Sequence, residues 1–223
     1  MKAIMISIKP QLVEKILNGE KTIEIRKTMP KCELPCKVYI YCTKSKTKYL
    51  RKLEAYNKTT FITENKDVIG QTDKVKSILG EYATFCESGG FNGRVVAEFI
   101  LNKVDILERD LNDWLPKNRY DVSNELLKNI NFNQEQLWNY GQGKILYAWH
   151  IDDLKIYDKP KELSEFSGFI PNNKCEKHEN GFACDKCDAY DKEHDTCLAL
   201  YYCRKPIKRP PQSYCYVEEL ENE

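Results

Sequence analysis

The sequence predicts an α+β protein in which a mixed β-barrel with flanking helices carries a small Cys/His-rich appendage. Most apolar segments are short, contain many β-branched or aromatic residues, and are bounded by Gly, Asn or Asp, as strands are. The few helical patterns do not alternate regularly with these strands, which excludes a βαβ arrangement and favours a barrel. Residues 172–203 differ in character, because they hold five of the ten cysteines and two of the three histidines.

The chain is predicted to begin with a strand, a helix and a second strand. Ala3 to Ile8 are apolar enough for a buried strand, and Pro10 suits the first turn of a helix. Leu12 to Leu17 place apolar residues at helical spacing on one face, and Asn18-Gly19 ends this helix. Thr22 to Arg26 then alternates with period two, so its polar residues share one face of a strand.

The remaining elements define one main unit and two smaller ones. Further strands are predicted at Val38 to Cys42, Arg94 to Leu101, Ile145 to Ile151 and Tyr214 to Leu220, and helices at Ser123 to Ile130 and Asn133 to Tyr140. Residues 1–165 are predicted to form the barrel, with 57–93 as a polar insert. Residues 172–203 form the Cys/His-rich unit, and 204–223 form a basic, proline-bearing linker and the last strand.

The length and composition limit the classes of protein to which the chain can belong. With 223 residues and 41% hydrophobic residues, the chain can bury one compact core plus an appended segment. It has no signal-peptide pattern and no apolar run of membrane-spanning length, so a cytoplasmic location is expected. In the cytosol thiols stay reduced, and clustered cysteines there indicate metal before disulfides.

Charge is distributed unevenly along the chain. Residues 1–60 hold 14 Lys/Arg and 5 Asp/Glu, a balance of +9, while the remainder holds 21 against 29, a balance of −8. A basic face that attracts a polyanion explains this split, and so does an ordinary solvated surface.

Lys21, Glu24 and Arg26 are the main candidates for a binding site. Glu24 suits a base or sugar donor, Arg26 offers a planar fork to a phosphate or base edge, and Lys21 adds a positive charge. The alternative is an edge strand whose charged face meets water, and spacing alone favours that alternative.

Two groups of residues resemble a known family. Ser7-Ile8-Lys9-Pro10, the helix, and Gly19-x-Lys21-x-x-Glu24-x-Arg26 resemble the signature with which ASCH domains of the PUA-like superfamily begin. The segments 92–99, 143–151 and 159–163 are similar to bacterial and phage ASCH-type proteins, so the resemblance covers residues 1–165.

The resemblance implies a PUA-like β-barrel with a helix beside a cleft that binds RNA or a modified nucleoside. It gives Lys21, Glu24 and Arg26 the ligand-contacting role, and we add Lys9 and Trp149 as further ligand-binding candidates. The resulting expectation is a binding module whose partner is RNA or a modified nucleoside, with no membrane partner.

The resemblance also leaves an enzyme open as an alternative, a nucleoside amidohydrolase or ribonuclease that uses Lys21 with Glu24 or Glu98. Hydrolytic members of the family use a threonine three residues after the lysine as nucleophile. This chain has Glu24 there, and its nearest hydroxyls are Thr22 and Thr28. That departure weakens the hydrolase hypothesis.

The segment 43–52 holds five cations and one aromatic residue, as a groove for single-stranded nucleic acid does. An exposed loop has the same composition, and both interpretations stay open. The candidates for a nucleic-acid surface are Lys44, Lys46, Lys48, Tyr49 and Arg51.

The Cys/His-rich unit is predicted to hold a structural zinc ion, although its ligand spacing matches no standard zinc finger. Cys175-x2-His178-x5-Cys184-x2-Cys187 forms two close pairs that suit tetrahedral zinc. Substitute ligands are His194, Cys197 and Cys203. The alternatives are a loop with reduced thiols and a zinc-dependent protein-interaction module. No nucleotide cofactor is expected, because Gly141-Gln142-Gly143 lacks the third glycine of a dinucleotide site.

Overall fold

The computed structural model describes residues 2–55, 58–65, 84–85, 90–111, 118–171, 190–191, 196–197 and 202–220. The helices are α1 (Pro10–Leu17), α2 (Asn124–Ile130) and α3 (Gln134–Gly141). The strands in the first half are β1 (Lys2–Ile8), β2 (Ile23–Arg26), β3 (Cys36–Cys42), β4 (Lys48–Ala55), β5 (Lys58–Asn65), β6 (Thr84–Phe85), β7 (Arg94–Leu101) and β8 (Val104–Leu107). Those in the second half are β9 (Leu146–His150), β10 (Asp152–Lys161), β11 (Ser167–Pro171), β12 (Tyr190–Asp191), β13 (Thr196–Cys197), β14 (Tyr202–Pro206) and β15 (Tyr214–Glu218).

The largest sheet has the strand order β10-β7-β3-β1-β15-β11-β14. Its central strand β1 runs parallel to β3 and antiparallel to β15. Because successive side chains of a strand point to opposite faces, Ile4 and Ile6 enter one apolar cluster while Ala3 and Met5 enter another. Both faces of β1 are therefore covered, which explains its nearly continuous apolar sequence.

A second sheet of three antiparallel strands has the order β2-β9-β8. Ile23 and Ile25 of β2 face a cluster that includes Ile130 of α2 and Leu137 of α3. The opposite face of β2 carries Glu24 and Arg26. The two helices thus cover the apolar face of this sheet and leave its charged face turned toward the large sheet.

A third sheet, β5-β4-β6, packs beside α1. The amide side chain of Asn18, directly after α1, donates to the Phe61 carbonyl at 2.8 Å and accepts from the Phe61 N–H at 2.9 Å. These paired hydrogen bonds join the end of the helix to β5. No helix in the described part of the chain combines the length and apolarity needed to cross a membrane.

The α+β class is confirmed, and so are the predicted strands that correspond to β1, β2, β3, β7, β9 and β15 and all three predicted helices. The prediction of a barrel is wrong for the described residues, because their strands form separate sheets and no closed barrel. In the large sheet, β10 and β14 are the two edges and do not pair with each other.

The hairpin β4–β5 is an element that the sequence analysis missed. It contains part of segment 43–52, interpreted as a loop or groove, and part of the supposed polar insert. Leu50 and Leu53 are both fully buried although they lie on opposite faces of β4. Because both faces are covered there, the apolar residues show no alternation that would indicate a strand.

Candidate functional site

Lys21 is buried at the start of β2, with 1% of its surface exposed. Its ammonium donates to the Ile23 carbonyl at 2.6 Å and to the Ile130 carbonyl at 2.7 Å, and lies 3.5 Å from a carboxylate oxygen of Glu24. Burial lowers the pKa of Lys21, while the Glu24 carboxylate opposes that change. Lys21 therefore links β2 to the end of α2 and positions Glu24.

Arg26 lies two residues after Glu24, on the same face of β2, with 6% of its surface exposed. Its guanidinium lies 3.2 Å from a carboxylate oxygen of Glu24 and donates to the carbonyls of Ser7 at 3.1 Å and Ser213 at 3.2 Å. Arg26 thus joins β2 to the ends of β1 and β15 in the large sheet. We call Lys21, Glu24 and Arg26 the motif cluster.

Two buried N–H groups beside the motif cluster have no hydrogen-bond partner. They are Nε of Arg26 and Nε1 of Trp149. Trp149 is fully buried and lies directly opposite Glu24 in the β2–β9 pairing, so both side chains point to the same face. Buried polar atoms nearly always have a partner, so an unpaired one requires an explanation, such as local strain or a water, ion or ligand that binds there.

Aromatic rings border the motif cluster on two sides, and their positions were not evident from the sequence. The Trp149 ring lies 5.6 Å from that of Tyr214. On the other side the Lys21 ammonium lies 5.4 Å from the Phe132 ring, which contacts Tyr140. Burial raises the pKa of the Tyr140 phenol; Arg26 lowers this pKa and Glu24 raises it, both by less than burial does. Of these rings only Trp149 is predicted from the sequence, as a ligand-binding candidate; Tyr214, Phe132 and Tyr140 carry no sequence signal.

The other predicted ligand-binding residue, Lys9, is exposed at the N-terminal end of α1. It follows Ser7 by two residues, and Ser7 accepts a hydrogen bond from Arg26. The proposed hydroxyls Thr22 and Thr28 are both exposed. Glu98 belongs to a separate network, since its carboxylate accepts from the Tyr157 hydroxyl at 2.5 Å.

The candidates for a nucleic-acid surface are divided between a loop and a strand. Lys44 and Lys46 are exposed, whereas Tyr49 is half-buried. Two further members interact with β5, because the Lys48 ammonium donates to Asn65 at 2.6 Å and the Arg51 guanidinium lies 3.6 Å from the Glu64 carboxylate.

The predicted zinc ligands Cys175, His178, Cys184 and Cys187 lie outside the described residues. Of the substitutes, His194 lies outside them too. Within the described part of the chain, no group of three or more His, Cys, Asp or Glu residues is placed to hold a metal ion.

The chain was compared with protein families, curated proteins and solved structures. No protein-family model matches the chain, and no curated protein matches it. Among solved structures, the crystal structure of ASCH from Zymomonas mobilis matches over 72% of this chain and 73% of that chain, with 16% sequence identity and a TM-score of 0.39. A tyrosine-to-phenylalanine variant of that protein matches over 73% and 77%, with 17% identity and a TM-score of 0.37. The chain is similar to ASCH proteins of known structure.

No residue of this chain takes a role from this likeness. The geometry described above is the chain's own.

Proposed function

We propose that this chain is an ASCH-type module that binds RNA or a modified nucleoside, and that Glu24, Arg26 and Trp149 contact the ligand. The observation that carries the proposal is the pair of buried, unpartnered donors on Arg26 and Trp149. An unmade hydrogen bond of this kind costs about 1–3 kcal/mol. A ligand that accepts from both donors recovers this cost on binding.

The face of β2 and β9 has the chemistry of a base-recognition site. Glu24 supplies an acceptor, and the two unpartnered donors belong to its neighbours on the same face. The edges of nucleobases present donors and acceptors in one plane, to which carboxylate and guanidinium groups pair. The partly exposed ring of Tyr214, which lies 5.6 Å from the buried Trp149 ring, adds flat apolar surface of the kind on which bases stack.

Exposed cations follow or precede every segment that contacts Arg26. Lys9 follows Ser7, Lys27 follows Arg26 itself, and Lys208 and Arg209 precede Ser213. Cations in such positions attract the phosphates of a polyanion while the buried face selects the base. Ser213 is itself exposed, so a single residue separates Arg26 from the surface.

The hydrogen bonds that the Lys21 ammonium makes favour a binding role over hydrolysis. An ammonium has three N–H donors, and here two point to backbone carbonyls while the third side faces Glu24. A lysine that activates a nucleophile needs a free lone pair and a hydroxyl within hydrogen-bond reach. Thr22 and Thr28 are exposed, whereas Lys21 is buried.

The proposal is tested by measuring binding and turnover together. Purified protein is incubated with a pool of single-stranded RNAs and with modified nucleosides, including acylated cytidines, and both retention and product mass are followed. Trp149→Phe keeps a large ring but removes the unpartnered N–H. We expect it to weaken binding by about tenfold, the effect of one hydrogen bond.

Trp138→Phe is the matched control, because Trp138 lies on α3 against Tyr120 and away from the charged face of β2. We expect this variant to bind as the unmodified chain does. Equal affinity of the Trp149→Phe variant, or formation of a product, contradicts the proposal.

A further inference from the structure

Two cysteines lie close together at the other end of the large sheet. The Sγ atoms of Cys32 and Cys36 are 2.8 Å apart. Both line a pocket of about 570 Å³ whose wall also includes three lysines and two glutamates, namely Lys2, Lys31, Lys37, Glu33 and Glu219. Lys2 begins β1, whereas the Arg26 contact at Ser7 is five residues along the same strand, about 17 Å away at the rise of a strand. This pocket is therefore distinct from the motif cluster.

We propose that Cys32 and Cys36 form a reversible disulfide, and that the pocket is a redox-modification site whose reaction partner is a small anionic disulfide such as glutathione disulfide. An S–S bond is about 2.05 Å long, so the two sulfur atoms need to approach by less than about 1 Å. The proposal is independent of nucleic-acid binding.

The chain on both sides of Cys32 is held in place, which keeps the two thiols together. The Lys31 N–H donates to the Tyr216 hydroxyl at 2.7 Å, and the Tyr214 hydroxyl donates to the Met29 carbonyl at 3.2 Å. Cys36 is the first residue of β3, where it pairs with β7. Because both thiols are anchored, closing the disulfide orders little additional chain.

The unequal exposure of the two thiols defines the order of the reaction. Cys32 is half-buried, whereas Cys36 is buried, and burial raises the pKa of the Cys36 thiol. The Cys32 thiolate attacks one sulfur of glutathione disulfide, which releases one glutathione and leaves a mixed disulfide. The Cys36 thiolate then attacks the Cys32 sulfur and releases the second glutathione. Two protein thiols are oxidised, and one glutathione disulfide is reduced to two thiols.

The pocket wall carries three lysines against two glutamates, Glu33 and Glu219, and Lys37 lies 3.1 Å from a carboxylate oxygen of Glu219. The remaining excess of positive charge attracts the carboxylates of glutathione to the pocket. Residues 27–35 join β2 to β3. A disulfide between Cys32 and Cys36 therefore restrains the chain that follows the motif cluster.

The sequence permits a direct test by peptide mapping. Trypsin cleaves after Lys31 and Lys37, so both cysteines fall in the single peptide Cys-Glu-Leu-Pro-Cys-Lys. The folded chain is equilibrated in mixtures of glutathione and glutathione disulfide, quenched with acid, alkylated in urea and digested. We expect this peptide to appear two hydrogen atoms lighter and unalkylated. The peptide Val38–Lys44, which contains the buried Cys42, is expected to appear with an alkylated thiol.

Two comparisons separate a site built by the fold from chance proximity. Tyr216→Phe removes the hydroxyl that accepts from the Lys31 N–H. We expect this variant to lower the ratio of glutathione to glutathione disulfide at which half of the chains are oxidised, by about threefold to tenfold. The chain unfolded in urea is expected to oxidise less readily still. The proposal is overturned if the peptide keeps two alkylated cysteines throughout, if it carries bound glutathione instead, or if the midpoint is the same in the variant and in urea.

Discussion

Glu24 is the residue on which the motif cluster depends electrostatically. It lies 3.5 Å from the Lys21 ammonium and 3.2 Å from the Arg26 guanidinium, and all three side chains are more than nine-tenths buried. Two buried cations without their shared counter-ion repel each other and lose the interaction that compensates their desolvation. The carboxylate therefore has a structural role in addition to its proposed contact with a ligand.

We expect Glu24→Gln to lower the free energy of unfolding by about 3–5 kcal/mol, since the amide keeps the shape of the side chain but leaves two buried charges unpaired. Urea denaturation measures this directly. The matched control is Glu20→Gln, because Glu20 is exposed in the same segment and is expected to change stability by about 0.5 kcal/mol or less. Equal effects of the two substitutions would show that the cluster is not electrostatically coupled.

Residue periodicity predicted part of this site. Alternation in 22–26 placed Glu24 and Arg26 on one face, and the structure agrees. The water-facing alternative does not hold, because that face is covered by Ser7 and Ser213. Ser213 is 187 residues away from Arg26, and no local pattern indicates that the two meet. For the same reason the unpartnered N–H of Trp149 could not be anticipated.

At the scale of elements, the junction between α1 and β5 shows how a predicted helix end acquires a second role. Asn18-Gly19 was expected to end the helix, and α1 does end at Leu17 with Gly19 in the left-handed region at φ 75°. The side chain of Asn18 additionally satisfies both backbone groups of Phe61. This second role depends on a hairpin that the sequence did not reveal.

We expect Asn18→Ala to lower the free energy of unfolding by about 2 kcal/mol, because it leaves the N–H and carbonyl of the buried Phe61 without their partner. Hydrogen exchange at the Phe61 amide should become faster, and urea denaturation gives the stability change. Gln11→Ala is the control, since Gln11 is exposed on the same helix. If both variants are equally stable, the junction contributes nothing.

At the scale of the whole molecule, the elements were more predictable than their arrangement. Short apolar segments correctly indicated β1, β3, β7 and β15, because burial and strand propensity act locally. Which strands become neighbours is decided by contacts between distant segments. β1 lies between β3 and β15, and its partner Glu218 is more than two hundred residues from Lys2. The predicted barrel failed at this level, where periodicity carries no information.

The folded chain also holds several acidic groups in their protonated form, which determines its stability in alkali. Burial raises the pKa of the Cys42 thiol from its ordinary 9.0 to about 12 and that of Cys215 to about 11. It raises the pKa values of Tyr39 and Tyr216 from 10.0 to about 12. The unfolded chain loses these four protons at lower pH than the folded chain does. The lowered pKa of Lys21 has the opposite effect on the pH dependence of stability, but it is one group against these four.

We therefore expect the free energy of unfolding to be highest below pH 9 and to fall as the pH rises from 9 toward 12. Each group whose ordinary pKa has been passed contributes a slope of about 1.4 kcal/mol per pH unit until its folded pKa is reached. Urea denaturation at pH 8, 9, 10 and 10.5, with a reductant present, measures the slope. Cys42→Ala removes one of the four groups, so its slope above pH 9 should be smaller by about that amount. A stability that stays constant from pH 8 to 10.5, or an unchanged slope in Cys42→Ala, would show that burial does not hold these protons.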